Sequence, residues 1–136
     1  MRVGSLLACQ EIIDILRKVI HPYPLPRPCI KVALECLSDA GVALAEKRIS
    51  EIMAQRDYLS DELAKLPYVE KVYESAANFL LIIAKDAQGV YDKLKAKGII
   101  IRSRTGEIPN ALRISVGSPQ ENQALLQELR AIVVRV

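Results

Sequence analysis

The stretch ALRISVGSPQEN, residues 111–122, contains the two patterns that decide the fold. In its first half apolar and polar side chains alternate, as they do in a strand that buries one face. Arg113 and Ser115 therefore lie on one face of the predicted strand, and the aliphatic residues between them lie on the other. An arginine in the middle of a core strand needs a partner or a ligand, because burying its charge alone is costly.

The second half of the same stretch predicts the start of a helix. Ser118 is a favourable N-cap, Pro119 suits the first helical position, and Glu121 stands where the third residue of a capping box is expected. An apolar stripe at helical spacing follows from Leu125 onwards. The sequence thus predicts a half-buried strand joined directly to an amphipathic helix.

Working outward, the same periodicities predict the remaining elements. Further helices are predicted over residues 10–19, 30–37, about 41–66 and 88–97, and strands over residues 3–8, 69–74, 78–84 and 99–102. Residues 78–84 are apolar on both faces, so both faces of the sheet are expected to be covered there. Gly98 fits the C′ position of the helix before it. We predict an α+β fold, with a small, mainly antiparallel sheet of about three to four strands and helices packed on one face.

A proline cluster over residues 21–28 divides the chain. Alternating prolines remove backbone donors and restrict the residues that precede them, so this segment is predicted to be an extended connector. Before it, the helix over residues 10–19 has an apolar face that includes Ile12, Ile13 and Leu16.

Composition argues against several classes of function. The net charge of +3 is spread along the chain, without a basic block interleaved with aromatics, so no nucleic-acid partner is expected. No stretch reaches the ~18 apolar residues of a membrane span, and the first residues lack a signal-peptide pattern. We therefore expect a cytoplasmic protein with no membrane partner.

The sequence offers no metal site and no complete catalytic set. The three cysteines, Cys9, Cys29 and Cys36, occur in apolar stretches without a CxxC or Cys/His cluster, which predicts free thiols. His21 is the single histidine and cannot form a metal site by itself. We predict no metal ligand and no catalytic residue.

Two arginines near strand ends are the candidates for ligand binding. Arg113 lies on the strand described above, and Arg102 ends the predicted strand over residues 99–102. A planar guanidinium matches a carboxylate or phosphate group, so the two could form an anion clamp. Alternatively, both are surface residues or partners in structural ion pairs. Arg104, in the loop that follows, is expected to be exposed.

Five stretches resemble the carboxyl-terminal part of the histidinol-phosphate aminotransferases, a family of fold-type I pyridoxal-phosphate enzymes. They are MRVG (1–4), KVIHPYPL (18–25), ANFL (77–80), GIIIR (98–102) and the stretch 111–122. The resemblance runs over essentially the whole chain. It implies an aminotransferase small-domain-like fold, with residues 1–37 as the edge of a large domain and the crossover between domains, and residues 38–136 as the small domain.

The resemblance also implies roles for individual residues. Arg2 matches an arginine that contacts the cofactor phosphate, and Arg113 matches one that binds an anionic end of the substrate. Arg102 matches an arginine implicated in holding the phosphate of histidinol phosphate, and Asn78 matches a position near the site. The implied substrates are an amino-acid-like phosphate ester and a 2-oxo acid, histidinol phosphate and 2-oxoglutarate.

The family's Schiff-base lysine has no match in this sequence. The resemblance therefore implies pyridoxal 5′-phosphate in the intact, homodimeric enzyme, but no tightly bound cofactor and no transamination by this chain alone. Self-association through the apolar face near Ile12 is expected. Two alternatives stay open: the small domain of a related aminotransferase or threonine-phosphate decarboxylase, and a free-standing α+β binding module.

Overall fold

The computed structural model describes residues 3–21 and 23–132, and these form five helices and four strands. In chain order the elements are α1 (Gln10–Val19), α2 (Arg27–Cys36), α3 (Asp39–Ala64), β1 (Val69–Val72), β2 (Phe79–Ala84), α4 (Ala87–Ala96), β3 (Arg102–Ser103), β4 (Ala111–Ser115) and α5 (Pro119–Ala131). The chain divides into two compact units, the first running to Lys47 and the second beginning at Arg48. The domain boundary between residues 37 and 38 that the resemblance implies stays a prediction.

The first unit contains α1, α2 and the start of α3. Neither α1 nor α2 has a buried residue. The Ser38 hydroxyl accepts a hydrogen bond from the Gly41 N–H at 3.2 Å, so Ser38 caps α3. The strand predicted over residues 3–8 is wrong, because this segment pairs with no other strand and Leu7 is almost fully exposed. An apolar run forms a strand only where a second strand accepts its backbone hydrogen bonds.

The second unit is built on a four-stranded antiparallel sheet in the order β1-β2-β4-β3. Its core lies on one face, where side chains of the two central strands meet α3, α4 and α5. The fully buried members include Leu80 and Ile82 of β2, Leu112 and Ile114 of β4, and Leu126 of α5. The predicted α+β class, with helices on one face of a small antiparallel sheet, is confirmed.

The opposite face of β2 is less buried than its sequence predicted. Leu80, Ile82 and Ala84 are buried, whereas the residues that alternate with them are only half-buried. The prediction that both faces are covered is wrong for the residues that the structure describes. The apolar composition of a strand shows that burial of a face would be favourable. It does not show whether another element packs on that face.

Strand β3 is shorter than predicted and begins where it was expected to end. Gly98 adopts a positive φ of 78° at the end of α4, which confirms its C′ role. The next N–H, of Ile99, donates to the Leu94 carbonyl at 3.0 Å and keeps the chain against the helix. Residues 99–101 therefore lie outside the ladder, although Ile101 is buried, and Arg102 is the first residue that pairs with β4.

The predicted capping box of α5 is confirmed. The Ser118 hydroxyl accepts from the Glu121 N–H at 3.3 Å, and the Glu121 carboxylate accepts from the Ser118 N–H at 2.7 Å. The pKa of the Glu121 carboxyl is lowered because its carboxylate accepts from the Ser118 N–H and also from the Ser118 hydroxyl, at 2.8 Å. Among the described residues, no helix has the length and continuous apolar character that a bilayer crossing requires.

Tyr68 links the segment after α3 to α5 by a hydrogen bond. From its environment we predict that the protein loses stability at alkaline pH. Its hydroxyl donates to the Leu129 carbonyl at 2.8 Å, and burial raises the pKa of Tyr68 to about 12 from about 10 in an unfolded chain. The folded state holds the proton more tightly, so the contribution is full below about pH 10 and is lost as the pH rises towards 12.

The test compares Tyr68→Phe with the native chain in urea unfolding between pH 8 and 11.5. The variant is expected to lose part of the alkaline decline in unfolding free energy. Tyr23→Phe, at an 88% exposed position, is the control. An identical pH dependence for Tyr68→Phe and the native chain would contradict the prediction.

Candidate functional site

Arg102 and Arg113 lie directly opposite each other in the β3–β4 ladder. Residues that are directly opposite in an antiparallel pair project to the same face. Because the neighbours of Arg113 on β4, Leu112 and Ile114, enter the core, both arginines lie on the face away from the core. The Arg113 side chain is half-buried there and Arg102 is exposed. The structure thus brings together the two arginines that the sequence singled out.

Within the described part of the chain, the positive charge at this pair has no carboxylate partner. Among residues 3–21 and 23–132, neither Arg102 nor Arg113 forms an ion pair. Like charges directly opposite in a ladder are unfavourable, so an anion that bridges them would relieve the repulsion. In the described part of the chain, neither arginine takes part in a structural ion pair, which was one of the alternatives. Arg104 differs, because its guanidinium lies 2.7 Å from the Glu107 carboxylate. It is half-buried, so the prediction that it is exposed is wrong.

Phe79 is a member of this face that the sequence analysis did not identify. Its ring centroid lies 5.0 Å from Cζ of Arg113. In the β2–β4 ladder Phe79 pairs with Ser115 and Leu81 pairs with Arg113, so Phe79 and Arg113 are diagonal neighbours. Diagonal neighbours are within reach of aromatic and long side chains. The contact could be predicted only with the register known, and the sequence does not give the register.

Asn78 is the third residue predicted to bind the substrate. It is exposed, just before β2, and its main-chain carbonyl accepts from the Val116 N–H at 2.9 Å. It lines a groove of about 450 Å³ between α3 and the loop before β2, together with Ile52, Met53 and Arg56, and neither Arg102 nor Arg113 lines it. The substrate-binding role of Asn78 stays a prediction. Arg2, predicted to bind the cofactor phosphate, lies outside the described residues.

Asn122 holds the turn that follows the strand carrying Arg113. The sequence analysis did not identify this role. It is 1% exposed. Its amide nitrogen donates to Gln55 Oε1 at 3.0 Å and to the Gly117 carbonyl at 3.1 Å, while its oxygen accepts from the Gly117 N–H at 3.0 Å. A Cβ on Gly117 would lie 2.9 Å from Cβ of Glu121, so the turn from β4 into α5 requires a glycine. A buried amide with every group satisfied fixes this turn.

The described residues do not by themselves fit pyridoxal phosphate. Strands β2, β3 and β4, which form the face around the arginines, have the sequences FLLIIA, RS and ALRIS. They offer neither a lysine amine for the cofactor aldehyde nor a carboxylate for its ring nitrogen. In the described part of the chain, there is also no group of three or more histidine, cysteine, aspartate or glutamate residues that could hold a metal ion.

Comparison with known proteins identifies the family. Residues 1–129 match the family model described as aminotransferase class I and II. The chain belongs to this aminotransferase family. It is 42% identical over 132 residues to the histidinol-phosphate aminotransferase of Stenotrophomonas maltophilia (strain R551-3), a match that covers 96% of this chain and 36% of that protein. The chain therefore spans little more than a third of the length of this aminotransferase.

Solved structures share the fold of this aminotransferase chain. The histidinol-phosphate aminotransferase of Clostridium acetobutylicum superimposes with a TM-score of 0.79 at 23% identity, covering 90% of this chain and 37% of that one. A decarboxylase from Sulfurospirillum multivorans gives a TM-score of 0.79 at 19% identity, covering 92% of this chain and 37% of that one. At these identities the structures support the aminotransferase small-domain-like fold alone.

Proposed function

We propose that this chain supplies the anion-binding surface of a histidinol-phosphate aminotransferase. In the intact enzyme the proposed reaction is amino transfer between histidinol phosphate and 2-oxoglutarate. Arg113 and Arg102 are proposed to bind anionic groups of these substrates, because each guanidinium can donate two parallel hydrogen bonds to a phosphate or carboxylate. The 42% identity to the Stenotrophomonas enzyme supports the choice of substrate.

The observation that carries the proposal is the pairing of Arg102 with Arg113 in a ladder where neither forms an ion pair with any described residue. A structural arginine is usually balanced by a neighbouring acid, as Arg130 is balanced by Glu62 on the other side of this unit. We propose that these two guanidiniums in adjacent strands, neither of them in an ion pair with a described residue, supply the positive charge at which an anionic group docks. Such preorganised charge favours binding because little reorganisation is needed when the ligand arrives.

The proposal is tested by titrating the isotope-labelled chain with inorganic phosphate, histidinol phosphate and 2-oxoglutarate while recording NMR spectra. We expect shifts centred on Arg102 and Arg113 with a roughly millimolar dissociation constant, about 4 kcal/mol of binding free energy. Histidinol, which lacks the phosphate, should not produce them. A response at neither arginine would overturn the proposal. O-phosphothreonine is a parallel ligand, and its tighter binding would favour the decarboxylase alternative.

Pyridoxal 5′-phosphate is proposed as the cofactor of the intact enzyme, with its phosphate contacted by Arg2. The described residues do not make up a cofactor site, so no step of the reaction is assigned to them beyond binding an anion. We propose that the described residues alone do not transaminate, because the strands around the two arginines offer no lysine amine for the cofactor aldehyde. A cytoplasmic location and a homodimeric intact enzyme also stay proposals.

Self-association of this chain through α1 is a further expected result. Ile12, Ile15 and Val19 are 48%, 62% and 76% exposed on α1, whereas Ile13 and Leu16 are half-buried. A contiguous apolar helix face of this kind favours association. We expect the average mass from light scattering to rise with protein concentration.

The double variant Ile15→Asp/Val19→Asp should reduce this rise, because it places two charges on the exposed apolar face. Lys18→Ala, on the polar side of the same helix, should not. A native chain that stays monomeric at the highest concentration would contradict the prediction.

A further inference from the structure

The orientation of the Arg113 guanidinium is not set by a carboxylate of the described residues. A second cation, Arg102, lies directly opposite in the ladder, and repulsion between them favours side-chain conformations that separate the two guanidiniums. Since no described acid pairs with Arg113, some other contact must hold its guanidinium in one position if an anion is to find it preorganised.

The Phe79 ring provides such a contact. The guanidinium carbon lies 5.0 Å from the ring centroid, within the range in which the negative face of an aromatic ring attracts a cation. The ring itself is held at the start of β2, where it is half-buried, and the Phe79 carbonyl accepts a hydrogen bond from the Ser75 hydroxyl at 2.7 Å. Phe79 thus offers a half-buried ring on a backbone held by strand pairing and by Ser75, beside a long side chain that forms no ion pair with a described residue.

An aromatic partner differs from a carboxylate in what it leaves free. A carboxylate would occupy the N–H donors that lie in the guanidinium plane, and these are the donors that recognise an anion. An aromatic ring attracts the cation through its π-system and accepts none of the strong hydrogen bonds. Arg113 can therefore be positioned by Phe79 while its five N–H donors remain available to a ligand.

We propose that Phe79 is a positioning residue for Arg113, holding the guanidinium in the orientation in which it receives a phosphate or carboxylate group. This inference rests on the proposed function for its ligand, but the positioning itself is measurable without one. It predicts that the aromatic ring at position 79 matters through the ordering of Arg113, and not through the stability of the fold.

The experiment compares the native chain with Phe79→Leu and Phe79→Tyr. Ile83→Ala is the matched control, because Ile83 is another half-buried apolar residue on the same face of β2 and, like Phe79, a diagonal neighbour of Arg113, but it has no aromatic ring. Without ligand, NMR records the ring-current shift of the Arg113 side-chain protons and the relaxation of its Nε–H group. With inorganic phosphate as the probe, titration gives the dissociation constant, and circular dichroism confirms that each variant is folded.

We expect upfield-shifted, ordered Arg113 resonances in the native chain, in Phe79→Tyr and in Ile83→Ala. In Phe79→Leu the shift should disappear, the Nε–H group should become more mobile, and phosphate binding should weaken about 2- to 5-fold. A folded Phe79→Leu variant with an equally ordered Arg113 and unchanged phosphate affinity would overturn the inference.

The two proposals fail in different ways. If the native chain binds no phosphate but Arg113 loses its order in Phe79→Leu, the positioning inference stands and the proposed function falls. If phosphate binds at Arg113 with equal affinity in all four proteins, and Arg113 is equally ordered in each, the proposed function stands and the inference falls.

Discussion

Replacing Arg113 with methionine is expected to weaken the binding of inorganic phosphate to this chain by roughly 10- to 100-fold. A hydrogen bond to a charged group contributes about 1.5–3 kcal/mol, and each 1.4 kcal/mol corresponds to a tenfold change in affinity. Methionine keeps much of the aliphatic length beside Phe79 but removes the charge and the donors. Calorimetric or NMR titration at low ionic strength measures the change.

Two further variants separate charge from geometry. Arg113→Lys keeps the charge but loses the planar fork, so its affinity should fall between those of the native chain and Arg113→Met. Lys97→Met removes one positive charge at an exposed position after α4 and should leave the affinity nearly unchanged. Equal losses in Arg113→Met and Lys97→Met would show that the net charge of the chain binds phosphate and that Arg113 has no special role.

Replacing Ile82 with alanine should destabilise the second unit by about 2–5 kcal/mol, the range for truncating a large aliphatic side chain in a packed core. Ile82 is fully buried in the middle of β2 and pairs with Val72 on one side and Leu112 on the other. Urea unfolding followed by circular dichroism measures the loss. Ile100→Ala, at a 71% exposed position, should change the unfolding free energy by less than about 0.5 kcal/mol. Similar changes in the two variants would be inconsistent with the core described here.

The sequence predicted the parts of the fold that depend on neighbouring residues. The capping box at Ser118, the positive φ at Gly98 and the alternation of Arg113 with core residues are local, and each is confirmed. Residues 3–8 and 99–101 were predicted as strands and are not, since an apolar run records a tendency to be buried and not the presence of a pairing partner. Strand pairing is a long-range choice that a short sequence window does not contain.

In the candidate site, too, the sequence predicted the local features but not the contacts between distant residues. Strand alternation placed Arg113 on the face away from the core, but its position opposite Arg102 depends on the register of β3. The contact with Phe79 depends on the register of β2, and the hydrogen bond from Asn122 to Gln55 joins residues 67 positions apart. These contacts depend on tertiary packing, so the spacing of residues in the sequence does not predict them.

Arg102 has a second consequence because β3 is an edge strand of only two residues. An edge strand presents unpaired backbone groups with which a neighbouring molecule can extend the sheet, and proteins limit this by keeping edges short and charged. Strand β3 meets both conditions, because it has two residues and carries the exposed guanidinium of Arg102, at the edge of the sheet where the anion is proposed to bind. Resistance to aggregation and the proposed ligand recognition therefore depend on the same side chain, and a substitution that neutralises it is expected to lower solubility as well as any binding of the anion.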